Sequence, residues 1–229
     1  MKTLIDTASN VNMARRSFLR YAGVGAVAAT GVMAMSACHK SHVDEPGNTI
    51  DIGSGDIGIL NYAYALEQLE AAFYLQVVLT PYSGITSTET SLLTDIRDHE
   101  VGHREFFKAA LGSNAIAGLT PDFSGIAFSS RAKVLAAAQA FEDTGVSAYN
   151  GAGYMITTPA YLVIAGQIVS VEARHAAYIR NLVSYGSFAD NTILDSNAMD
   201  KQQTIPQVLA IANTYLKTKV SASAYNYIP

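Results

Sequence analysis

Glu100 and His103 stand three residues apart in Asp98-His99-Glu100-Val101-Gly102-His103, and Glu172-Ala173-Arg174-His175 repeats the pair. Residues three apart on a helix share a face, so each pair presents a carboxylate and an imidazole one turn apart. Two such pairs on separate helices are half of a dinuclear carboxylate centre, which needs one further Glu from each of two other helices. Glu67 and Glu142 fit that need. Each is followed seven residues later by a tyrosine, Tyr74 and Tyr149. The chain therefore reads as two similar halves, Glu-x6-Tyr then Glu-x-x-His, with Glu67 to Glu100 spaced 33 and Glu142 to Glu172 spaced 30.

The chemistry of such a set is specific. Charged groups are rarely buried unless paired or bound to metal. Two divalent ions would neutralise four carboxylates, and each would take a neutral nitrogen from one His. Without metal the four Glu would repel, and most would need raised pKa values. The expected ligands are Glu67, Glu100, His103, Glu142, Glu172 and His175, with Glu142 as a candidate bridge. Open metal positions would take a small-molecule substrate. Around this set, Glu70 lies one turn beyond Glu67 and aligns with Gly145 in the internal repeat, which makes it a candidate outer partner. Tyr74, Tyr149 and His99 join it there, as do Asp95, Asp98 and Arg174. For the tyrosines, a core role with a satisfied hydroxyl competes with a redox role.

Two other readings use the same residues. His99-Glu100-Val101-Gly102-His103 satisfies H-E-x-x-H, the zinc peptidase pattern in which two His bind the ion and Glu acts as base. That reading leaves Glu142, Glu172 and His175 without a role. The other is a metal-free helical bundle with a structural, stress-protective part.

The elements that must position these residues are helical. Leu60, Ala63, Leu66, Ala71, Phe73, Tyr74 and Val77 keep helical spacing over a first helix from about Ile57 to Thr80, stopped by Pro81. Thr86-Ser87-Thr88-Glu89 has the form of a capping box for a second helix, closed by Gly112. A third is expected over Ser130 to Ile156. Thr158-Pro159 opens a fourth that ends near Gly186. Glu67 and Glu100 lie equally far from their shared turn, as do Glu142 and Glu172, so antiparallel hairpins bring each pair level. Residues 113–129 form the one long connection. Seventeen extended residues reach roughly 55 Å, against ~38 Å for a 25-residue helix, so this segment can cross the whole bundle. A short helix from Ile205-Pro206 to about Lys217 is expected to cover one end; residues 221–229 carry no clear signal.

The 229 residues suit one domain with a leader and a tail: 1–38, 39–56, 57–186 and 187–229. The net charge is −4. Removing residues 1–38 takes away four basic groups and one acid, leaves no basic patch, and argues against a nucleic-acid partner. A single Cys excludes an internal disulfide framework. Ala14-Arg15-Arg16-Ser17-Phe18-Leu19-Arg20 and the apolar run 21–37 resemble a twin-arginine export signal, too short and Gly/Ala-rich for a membrane span. Met35-Ser36-Ala37-Cys38 resembles a lipobox, which would make Cys38 the lipidated first residue of the mature protein and the only membrane attachment. Cleavage near Ala37, leaving a free thiol, is the alternative. Residues 39–56 read as a flexible tether. A bacterial envelope, periplasmic location is expected.

At these residues the chain resembles the ferritin-like superfamily, and within it the exported ferritin-like domain proteins of the desiccation-associated branch. The stretch from Leu60 to Tyr74 (Leu-Asn-Tyr-Ala-Tyr-Ala-Leu-Glu-Gln-Leu-Glu-Ala-Ala-Phe-Tyr), Phe141 to Tyr149, and Val171 to Ala177 carry the resemblance, which covers about residues 57–186. It implies an all-α, antiparallel four-helix bundle with a long crossover between helices 2 and 3 and a short C-terminal helix. It implies the same six ligands, two divalent metals with iron ahead of manganese, O2 or peroxide as the small-molecule substrate, and an oxidoreductase chemistry that ranges over ferrous iron oxidation, peroxide reduction or disproportionation, and hydroxylation. A tether and lipid anchor do not suit a closed storage cage; a homodimer is the assembly entertained.

Overall fold

A computed structural model describes residues 49–229, and the expected leader, the lipidation site Cys38 and most of the expected tether lie outside them. The described chain folds as β1 (Thr49–Asp51), α1 (Gly55–Leu79), α2 (Ser87–Leu111), α3 (Arg131–Ala152), α4 (Pro159–Val183), α5 (Ile205–Ala212) and β2 (Lys219–Ser221). α1 lies along α2, α3 lies along α4, and the two hairpins meet backbone to backbone through α1 and α3. No helix among the described residues is long and apolar enough to cross a membrane.

The helix ends follow the local chemistry. Thr86 accepts from the Glu89 amide while the Glu89 side chain accepts from the Thr86 amide, closing the capping box that starts α2. Gly112 ends α2 with φ of 55°, backbone that favours glycine. α4 departs from expectation in one respect: the Thr158 side chain makes no cap bond. Asp56, at the start of α1, accepts from the amides of Thr157 and Thr158 instead, so one hairpin caps the other.

α1 is the central helix, buried from Gly58 to Ala71 without a break. The long connection explains this, because it runs the length of α1. Asn61 donates to the Asn114 carbonyl and accepts from the Ile116 amide. Gln68 accepts from Leu119, two turns further on. Phe123 and Phe128 then pack on Phe73, and the Ser83 amide meets the Ser129 carbonyl beyond the end of α1. The crossover therefore spans the whole bundle, fastened to α1 by buried amides that would otherwise lack partners.

Three expectations are corrected. The stretch expected as a flexible tether ends in β1, which pairs in parallel with β2, Ile50 opposite Val220. Asp51 fixes the joint by accepting from the Gly53 and Ser223 amides and the Ser221 hydroxyl. The C-terminal residues are therefore structural, not without signal. α5 does not cover an end of the bundle. Ile211 and Ala212 reach Leu66, Leu69 and Glu70 of α1 and Phe141 and Gly145 of α3, at the level of the clustered acids. It seals the α1/α3 seam there, where a buried carboxyl would otherwise face water.

The segment leading to α5 is seated just as closely. The Gln203 amide donates to the Ser147 carbonyl, and a Cβ built on Gly151 would meet the Gln203 carbonyl oxygen at 1.8 Å. Helix propensity alone would make Gly151→Ala stabilising by roughly 1 kcal/mol. Overpacking against backbone reverses the sign, and a net loss of about 1–3 kcal/mol is expected from the urea midpoint. A more stable variant would mean that this segment does not sit on α3.

Candidate metal centre

α2 and α4 face each other through side chains at the middle of the bundle. His103 Nδ1 lies 2.9 Å from Glu172 Oε1, 3.4 Å from Glu67 Oε2 and 3.7 Å from Glu100 Oε2. His175 Nδ1 lies 2.8 Å from Glu100 Oε1, 3.4 Å from Glu142 Oε2 and 4.0 Å from Glu172 Oε2. Two groups result, Glu67–Glu100–His103–Glu172 and Glu100–Glu142–Glu172–His175, each with one ligand atom per residue within 4.8 Å of the others. We call them the first and second positions.

All six residues expected as ligands are thus brought together. Their division differs from expectation. Glu100 and Glu172 belong to both groups, each turning one oxygen to each histidine, so these two are placed to bridge; Glu142, the expected bridge, belongs to the second position alone. The reason is geometric. The two Glu-x-x-His helices, α2 and α4, carry their Glu between the two histidines, while Glu67 and Glu142 approach from α1 and α3 at opposite ends of the pair.

The outer partners repeat the same twofold relation. Tyr149 donates to Glu67 Oε1 and Tyr74 to Glu142 Oε1, both at 2.5 Å, leaving Oε2 of each carboxylate toward its histidine. The hydroxyls are satisfied, as in the bland reading of these residues, yet they orient candidate ligands. Tyr149→Phe is expected to weaken metal binding at the first position by about tenfold or more while sparing the second. Unchanged affinity in a calorimetric titration would count against that role. His99 is exposed but stacks on His175 with rings 6° from parallel, its Nδ1 2.9 Å from His175 Nε2. It belongs to neither group, so His99 and His103 do not form the two-histidine site that the H-E-x-x-H reading requires. Asp98 pairs with Arg97 instead, and Arg174 is exposed.

The short distances hide a lack of hydrogen bonds. Eight buried atoms of the six residues have no hydrogen-bond partner: Glu67 Oε2, both oxygens of Glu100 and of Glu172, Glu142 Oε2, and Nδ1 of His103 and His175. Proximity without bonding geometry, in groups that cost free energy to bury unpaired, is what a cation held between them would explain. Absent a cation, protons must balance the charge. Burial opposes a charged His103, yet Glu100, Glu172 and Glu67 raise its pKa far above the usual range. Burial likewise opposes a charged His175, and Glu100 and Glu142 push it up to about 10. Burial would raise Glu100, but His103 and His175 hold it at about 2. Burial lifts Glu67 to about 7 against the pull of His103, and lifts Glu172 and Glu70 well above the carboxylate range with help from neighbouring carboxylates. The donor set fits two divalent ions, with nothing in it that selects iron over manganese.

Two features escaped the sequence reading. Arg180 is buried and binds Asp143 at 2.6 Å, Asp190 and the Ser187 carbonyl, tying residues 187–192 to the α3/α4 hairpin. Its signal was weak, a lone Arg at the end of an apolar helix. Gly145 was visible in the repeat, but its use was not: a Cβ there would meet Glu70 Oε1 at 3.0 Å and Glu172 Oε2 at 3.6 Å.

A helical bundle whose core holds two Glu-x-x-His pairs and two further Glu defines a class, the ferritin-like carboxylate proteins. A family model described as a ferritin-like domain matches residues 55–185, and the chain belongs to that family. No curated protein matches the chain.

Proposed function

We propose that this is an exported dinuclear carboxylate protein that reacts with O2 or peroxide under oxidative or desiccation stress; iron is put ahead of manganese on the family resemblance alone, since the donor set suits either. The observation that carries the metal reading is the convergence of eight buried atoms without hydrogen-bond partners on two four-residue groups. Bound metal would supply the Lewis acidity and electron transfer that such an oxidant needs. Glu100 and Glu172 would hold the two ions at a fixed separation. Glu67 and Glu142, oriented by Tyr149 and Tyr74, and His103 and His175 would complete the positions. Phe73, Phe123, Phe128 and Phe141 pack together where the crossover meets α1 and α3.

Export rests on Arg15-Arg16 with the apolar run behind it, and membrane attachment on Met35-Ser36-Ala37-Cys38. A folded metal domain suits the twin-arginine route, and light scattering on the purified protein would separate a homodimer from a 24-subunit cage. The deciding measurement is metal content, by mass spectrometry on protein taken from its native envelope. Two iron or manganese ions per chain, with peroxide or O2 turnover on reloading, are expected. A single zinc ion per chain would count against the dinuclear reading. A folded bundle that binds neither iron nor manganese would leave a structural role.

A further inference from the structure

Glu70 breaks the twofold symmetry of the site. In the internal repeat Glu67 matches Glu142 and Tyr74 matches Tyr149, but Glu70 faces its own counterpart, Gly145. The space that a Cβ on Gly145 would fill lies 3.0 Å from Glu70 Oε1 and 3.6 Å from Glu172 Oε2. Glu70 is 4 % exposed, under Ile211 and Ala212 of α5, and lines a cavity of about 10 Å³. Its charged neighbours across the site are themselves carboxylates, Glu172 and Glu100 foremost. A carboxyl this deeply buried among other carboxylates, with the opposite helix hollowed to admit it, points to a cationic partner in the site.

Glu70 itself lies outside both four-residue groups, and its place on α1 gives it a direction. Along α1, Glu67 serves the first position and Tyr74 reaches Glu142 in the second. Glu70 lies between them, ~4.5 Å along the axis beyond Glu67. The Cβ position of Gly145 that borders Glu70 Oε1 also borders Glu172 Oε2, the oxygen turned to His175 and hence to the second position. Nothing equivalent comes from α3 toward the first position, because Gly145 has no side chain.

We propose that Glu70 is a seventh ligand, directed to the second position alone, so that the two positions differ in charge and fill in order, the second first. This rests on the dinuclear reading above. The second position would then hold four carboxylates and one imidazole against three and one in the first, and the more negative set takes the first cation more tightly and favours the ion of higher charge.

The test is a titration of the metal-free full-length protein with cobalt(II) chloride, followed by calorimetry and by visible absorbance. Two unequal steps are expected. Glu142→Gln should weaken the tighter step and Glu67→Gln the looser one, which assigns the steps to positions. Glu70→Gln, which keeps the shape, should weaken the tighter step by about 10- to 100-fold and draw the two together. Circular dichroism of the metal-free variant checks that the bundle is intact, and Glu70→Asp gives a second variant that keeps the charge and should retain part of the difference. Equal steps in the parent protein, a reversed assignment, or steps unmoved by Glu70→Gln would overturn the proposal and leave the dinuclear centre standing. No cobalt bound by the parent protein would overturn both.

Discussion

Glu100→Ala is expected to cost the protein both of its metal ions, whereas Glu142→Ala should cost it only one. Glu100 and Glu172 supply one oxygen to each position, so removing either leaves both groups a carboxylate short and removes the link between the ions. Removing Glu142 leaves Glu67, Glu100, His103 and Glu172 complete; removing Glu67 leaves the other four complete. The measurement is metal per chain after reloading and desalting, by mass spectrometry, for the four variants side by side. About two ions should fall to none for Glu100→Ala and Glu172→Ala, and to about one for Glu67→Ala and Glu142→Ala. If Glu142→Ala emptied the site and Glu100→Ala did not, the bridge would be where the sequence alone first put it.

The second large effect is on stability against pH, and it has opposite signs with and without metal. In the metal-free protein Glu67 is held at about 7 against an ordinary 4.5, so the native state binds its proton more tightly than the unfolded chain does. That contribution is whole below pH 4.5 and is lost as pH rises through 7. Glu142, Glu172 and Glu70 are raised as well and act in the same direction. His175, raised to about 10 from 6.5, contributes stability that is whole below 6.5 and lost as pH rises through 10. Glu100, held at about 2, contributes above 4.5 and loses that only as pH falls through 2, so it is silent across the interval. The metal-free Tm should therefore fall as pH rises from about 5 to about 10, each group acting at up to about 1.4 kcal/mol per pH unit between its two pKa values. Metal reverses this. Ions replace the protons, ligands bind them deprotonated, and affinity grows as pH rises. The gap in Tm between loaded and metal-free protein should widen from pH 5 to pH 8 in scanning calorimetry. A metal-free Tm that climbed with pH would show that the acids are ionised in the bundle and paired by something other than protons or metal.

Much of this was readable before any coordinates, because the signals were periodic and local. Glu-x-x-His twice, Glu-x6-Tyr twice, a capping box at Thr86 and a proline at 159 are short-range patterns whose helical meaning does not depend on the rest of the chain. The length of the 113–129 connection limited what it could do. What stayed hidden was set by contacts distant in sequence. Three residues of strand at 49–51 carry no alternating pattern long enough to register, and their partner lies 170 residues away. The short amphipathic stretch at 205–212 announced a helix but not the face it would cover, since that depended on a gap between α1 and α3. The choice of bridge was hidden too: Glu67, Glu100, Glu142 and Glu172 are alike in sequence, and only the opposed α2 and α4 distinguish them.

The joint between β1 and β2 bears on the order of assembly. Each helical hairpin closes over a few tens of residues, and such local contacts form quickly. The strand pair joins residues 170 apart, as far as Asp51 from Ser221, and must wait until the hairpins have docked. α5, held between Gln203 and β2, settles over the α1/α3 seam on the same late timetable. For an interval the carboxylates are therefore gathered but not yet roofed, and this is the interval in which metal can enter without opening a finished fold. Pulsed hydrogen exchange during refolding should show the amides of α1 to α4 protected before those of Ile52, which donates to Ser221, and Ser223, which donates to Asp51. Metal added before that second phase should load faster than metal added after it. In this protein the segments flanking the four long helices act as the closure of the vessel that those helices have built.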